Sequence, residues 1–89
     1  MTTEQLHNET LEFCHYLRIE VSSARQKFPS PNCNMIALME EVGELANALL
    51  EVKRGNRDPK EIWEEAVQVA AMACRVATEG DPTVNLLPL

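Results

Sequence analysis

Apolar residues recur at helical spacing in three stretches of this chain, and each stretch is closed by residues that break a helix. The first stretch carries Leu6, Leu11, Phe13, Cys14, Leu17, Val21 and Ala24. Its spacing predicts a helix that starts within residues 3 to 10 and runs toward Lys27, where Phe28-Pro29-Ser30-Pro31 interrupts it. The second helix is predicted to start near Ser30 or Asn34, both residue types that cap free backbone N–H groups, with Pro31 fit for a first turn. Its apolar face is Ile36, Met39, Val42, Leu45, Ala46, Leu49 and Leu50, and it ends at Gly55-Asn56 after Lys53 and Arg54. The third helix opens on Asp58 as N-cap, Pro59 at its first position and Glu61 two residues later, and stops at Gly80-Asp81-Pro82.

Between Ala66 and Ala77 only Gln68 and Arg75 are polar, so the third helix is apolar around most of its circumference. A helix of this kind is buried on several sides. The expected fold is therefore all-α: three main antiparallel helices forming a bundle completed by dimerisation. Residues 1–89 form one domain, and residues 83–89 are a short apolar tail lying across the bundle or a partner subunit.

Size points the same way. A chain of 89 residues buries only roughly 60–65% of the surface its unfolded form exposes, so a homodimer or higher homo-oligomer is expected. The net charge of -6 argues against binding a nucleic-acid polymer, which demands a concentrated basic surface. It leaves room for a small phosphorylated ligand, because a bound Mg²⁺ inverts the local electrostatics. Cys14, Cys33 and Cys74 form no metal-binding or redox spacing, and their odd number opposes a simple disulfide framework, so a reducing cytoplasm is expected. No apolar run approaches a membrane span, and the N-terminus lacks the pattern of a signal peptide.

Two acidic motifs, Glu40-Glu41-Val42-Gly43-Glu44 and Glu64-Glu65-Ala66-Val67-Gln68, interrupt helices otherwise suited to burial. Residues three or four apart share a helix face, so Glu41 and Glu44 converge from one helix while Glu65 and Gln68 converge from the next. Packed carboxylates repel one another unless a cation joins them. Hard Mg²⁺ takes oxygen ligands in near-octahedral geometry, which Glu41, Glu44, Glu65 and the Gln68 carbonyl can supply. Glu40 and Glu64 are adjacent carboxylates suited, with Glu41, to orienting a water or accepting its proton. The competing reading is a solvated helix face, since glutamate is a good helix former.

Cationic candidates for phosphate are Lys53, Arg54, Arg57 and Lys60 around one turn, and Arg75, which sits two turns after Gln68 on about the same face. Solubility and helix-end electrostatics are the leading reading of the first group, with phosphate capture second, and a pair with a nearby glutamate explains Arg75 equally well. Phe13, Trp63, Met35, Met39, Met72, Cys14 and Cys74 read as packing residues, and His7 and His15 are not spaced as a ligand pair.

Over roughly residues 13–82 the sequence resembles the MazG-like nucleoside triphosphate pyrophosphohydrolases, an all-α superfamily related to dimeric dUTPases. The first acidic motif resembles that family's EExxE, the second its EExxD with Gln68 in the last position, and Lys27-Phe28-Pro29 and Gly80-Asp81-Pro82 are similar to flanking segments. The resemblance implies Mg²⁺-dependent cleavage of a nucleoside triphosphate, of deoxyribo or modified type, between its α and β phosphates. It implies Glu41, Glu44 and Glu65 as metal ligands. Two departures stand out: neutral Gln68 offers one carbonyl oxygen in place of a carboxylate, and Thr83 to Leu89 holds no basic residue. Phosphate contacts then fall to Lys53, Arg57 and Arg75. The same departures suit the alternative, a catalytically degenerate nucleotide-binding or helical oligomerisation module built on the Ala-rich third helix.

Overall fold

A computed structural model describes residues 1–88 and shows three helices packed together: α1 (Thr3–Lys27), α2 (Asn34–Lys53) and α3 (Lys60–Glu79), followed by a single 3₁₀ turn (Pro82–Val84). Leu89, the last residue of the predicted tail, lies outside the described residues. α1 is opened by a reciprocal cap in which Thr2 Oγ1 accepts from Gln5 N–H at 3.1 Å and Thr2 N–H donates to Gln5 Oε1 at 2.7 Å. At the start of α3 the N-cap position falls on Pro59, one residue later than expected, and Asp58 supports the turn just before it. Its N–H donates to Glu61 Oε2 at 3.0 Å and its Oδ1 accepts from Lys60 N–H at 2.9 Å, although the helix proper runs from Lys60.

The start of α2 is made differently. Cys33 precedes it in the left-handed region at φ 67° and supplies no side-chain cap. Instead Asp81, fully buried and 48 residues further on, accepts from Cys33 N–H at 3.0 Å and Met35 N–H at 2.9 Å. Two of the orphan donors of α2 are thereby satisfied from the end of α3. Asn34 adds a side-chain bond to Gly80 O at 3.0 Å. The tail folds back to reach this point: Asp81 and Leu86 exchange backbone bonds of 2.9 and 3.0 Å. Gly80 has φ 71°, and a Cβ there would run into the Leu86 carbonyl oxygen, so only glycine fits.

α3 is the central element. It packs against both α1 and α2, which make no backbone-level contact with each other. Val21, Ala48, Val67 and Ala71 are buried at its two seams, and Phe13 meets Trp63 edge-on at 5.3 Å. Arg75 ties the α1 end shut. Only 2% exposed, it forms a two-pronged pair with Glu79 at 2.9 Å on both oxygens and donates to Phe28 O at 2.7 Å. Arg25 adds a further bond to Glu79 at 2.9 Å, and these partners hold the Glu79 carboxyl below its usual range, the Arg75 bond foremost.

The resulting layer is open. Its radius of gyration is 14.6 Å, against about 12 Å for a compact domain of this length. Several expected packing residues accordingly face outward. Cys14 is exposed and Met39 is 64% exposed, while Ile36 and Leu50 lie on the side of α2 turned away from α3 and Val42 and Leu49 on its flank. The physical reason is that α2 has one helical neighbour, which covers only the face carrying Glu41, Leu45 and Ala48.

Candidate metal centre

Glu41 and Glu44 stand one turn apart on α2, and Glu65 faces them from α3. Each offers a carboxylate oxygen, and the three atoms lie within 4.8 Å of one another. Glu44 is exposed, Glu41 is half-buried and the Glu65 side chain is 20% exposed. Glu41 Oε2 and Glu65 Oε2 are buried with no hydrogen-bond partner among the described residues. Burial, with the like charges of Glu44, Glu65 and Glu20 added, pushes the Glu41 carboxyl up to about 7. Two buried, unpartnered carboxyl oxygens beside a third carboxyl group form a hard-donor set that suits Mg²⁺.

The cluster opens onto two grooves. One, of about 530 Å³, is lined by Glu40, Gly43, Glu44, Asn47, Arg57 and Glu65. The other, of about 540 Å³, lies between α1 and α2 over α3, and Glu20, Glu40, Glu41, Gln68 and Met72 contribute to it. Glu40 is exposed and borders both. Arg57 sits 3.1 Å from Glu61 and 3.6 Å from Glu65, so it is the cation nearest the cluster, and Glu61 is engaged by Arg57 and the Asp58 N–H.

The remaining sequence-predicted residues separate from this centre. Glu64 is exposed, pairs with Lys60 at 4.0 Å and lines a third groove of about 370 Å³ with Tyr16, Trp63 and Gln68. Gln68 lies between that groove and the one bordered by Glu41. Lys53 is exposed at the end of α2, and Arg75 is engaged by Glu79 and the α1 carbonyl groups as its pairing alternative anticipated.

Glu20 is the functional candidate the acidic motifs did not reveal. It belongs to no ExxE pair, yet it follows Phe13 and Leu17 on the inner face of α1, and that periodicity was the available signal. No family model, curated protein or solved structure matches the chain. No helix among the described residues is long and apolar enough to cross a membrane.

Proposed function

We propose that this protein is a Mg²⁺-dependent nucleoside triphosphate pyrophosphohydrolase that cleaves between the α and β phosphates, releasing a nucleoside monophosphate and pyrophosphate. The observation that carries this reading is the convergence of Glu41, Glu44 and Glu65 from two helices with two buried, unpartnered oxygens. Glu41, Glu44 and Glu65 would hold the ion. When bound, Mg²⁺ supplies charge neutralisation for the triphosphate and an acidified water. Glu40, exposed at the rim of both grooves, takes the proton of the attacking water. Glu41 orients the site from beneath. Arg57 lines the same groove as Glu40 and meets the phosphates, with Lys53 as an outer cation. Arg75 acts at a distance by fixing α1 against α3. Glu64 faces the aromatic groove, which makes it the weaker candidate for the base.

The substrate class on this reading is a deoxyribo or modified nucleoside triphosphate. The open helical layer supports self-association into a bundle, and the free thiols of Cys14, Cys33 and Cys74 suit a reducing cytoplasm. A second reading, a degenerate nucleotide-binding or assembly module, is favoured by neutral Gln68 and by the engagement of Arg75 with Glu79. One experiment separates them: pyrophosphate release from canonical and modified triphosphates, with Mg²⁺ or excess chelator and a Glu41→Gln control. Metal-dependent release lost in Glu41→Gln supports the enzyme. Saturable Mg²⁺ binding without release by the folded protein supports the module.

A further inference from the structure

The apolar surface that α3 leaves uncovered is concentrated on α2. Ile36, Met39, Gly43, Ala46 and Leu50 recur at alternating steps of three and four, the spacing of a seam that meets a second helix. This stripe is opposite the face that packs on α3: Ala48 is buried, whereas Met39 is 64% and Leu50 51% exposed. Val42 and Leu49 widen it on one flank. α1 also exposes large apolar residues, but Leu6, Leu11, Tyr16 and Ile19 follow steps of five, five and three that spiral around the helix and form no seam.

The area matches a specific contact. At the observed exposures, Ile36, Met39, Val42, Leu49 and Leu50 present roughly 500 Å² of accessible surface, taking the usual size of large aliphatic side chains. The largest apolar patch of a soluble monomer is typically about 300–600 Å² and is often an interaction site, so this stripe stands at the upper end of that range. With Gly43, Ala46 and the flanking stems the stripe reaches the low end of specific interfaces, roughly 600 Å² per partner.

We propose that α2 pairs antiparallel with α2 of a second copy of this chain, Met39 of one copy against Leu50 of the other and Gly43 against Ala46. In this register large side chains meet at the two ends and small ones at the crossing point, where Gly43 has no heavy atom within 4 Å of its Cβ position. Close approach at the centre and filled contact at both ends follow together. The arrangement also opposes the two helix dipoles and brings Lys53 of one copy within a turn of Glu40 of the other. Parallel pairing would instead set Gly43 on Gly43 and gather both copies' Lys53-Arg54 pairs at one end. Glu40, Gly43 and Asn47 line the acidic groove, so the second α2 would run along its open side and narrow it.

This inference specifies the surface for the self-association included in the reading above. Its test measures assembly alone, so a failed hydrolysis assay and a failed interface are distinguishable. Sedimentation equilibrium of the full chain at roughly 50 µM should give twice the 10.0 kDa chain mass. Met39→Lys and Leu50→Glu should each weaken the dimer about tenfold or more while helical circular dichroism is retained, since both residues are exposed. The double variant sets the introduced lysine of one copy against the introduced glutamate of the other and should regain the dimer. A monomeric wild type, or a dimer indifferent to both single changes, overturns the α2 interface. A double variant that stays dissociated overturns the antiparallel register.

Discussion

Replacing Glu41 with glutamine should make the metal-free protein more stable at alkaline pH, although it removes a ligand. Glu41 is half-buried next to Glu44 and Glu65, and its carboxyl is raised from 4.5 to about 7. Below pH 4.5 it is protonated in both folded and unfolded chains, and no penalty arises. Between 4.5 and 7 the unfolded chain ionises while the folded one keeps its proton, so this group's contribution to stability falls as pH rises. Above 7 the penalty is complete. The full shift corresponds to about 3 kcal/mol, and solvent screening of a half-buried group reduces this to about 1–3 kcal/mol. Glutamine carries no such penalty. Urea unfolding with chelator present should therefore find Glu41→Gln more stable than wild type by about that amount near pH 8, and equal to it near pH 4. Each kcal/mol is worth about 4–8 °C in Tm for a domain of this size. Millimolar Mg²⁺ should cancel or reverse the difference by stabilising only the wild type, by about 2.7 kcal/mol at a hundredfold excess over Kd. A variant less stable than wild type near pH 8 without metal, or a difference independent of pH, would refute the account of the cluster as an electrostatic strain awaiting a cation.

Two further predictions concern the ties between helices. Asp81→Asn should lower Tm on the order of 10 °C, because the amide replaces one of the two carboxylate oxygens that accept from Cys33, Met35 and Thr83; thermal melts by circular dichroism check this. The Thr83 hydroxyl and the Met35 N–H hold the Asp81 carboxyl below its usual range, so its contribution should be present near neutrality and lost only on strong acidification. Arg75→Lys should cost about 1–3 kcal/mol, since a lysine keeps the charge but cannot bridge both Glu79 oxygens and the Phe28 carbonyl; a urea midpoint close to that of wild type would contradict this role.

The convergence of Glu41, Glu44 and Glu65 was readable in the chain because helical spacing is a local property. Glu41 and Glu44 share a face whatever surrounds them, and the apolar neighbours of Glu65 turn it inward. Glu20 was harder to find because its relation to Glu41 depends on how α1 lies across α3, for which no short motif exists. Glu64 illustrates the converse. Adjacent to Glu65 in sequence, it lies about 100° further around the helix and so borders a different groove.

The sequence by itself determined the three helices, their breakers at Pro29, Gly55 and Gly80, and the acidic pairs, since each depends on residues within a turn or two of one another. Tertiary structure decided the rest. Asp81 caps α2 across 48 positions, Arg75 binds the end of α1 in place of a ligand, and α3 takes the centre so that α2 keeps an uncovered apolar face. A buried donor is satisfied by whichever acceptor the fold brings near, and an apolar stripe records only that something covers it. Both outcomes depend on the placement of whole helices, which periodicity along a single helix does not encode.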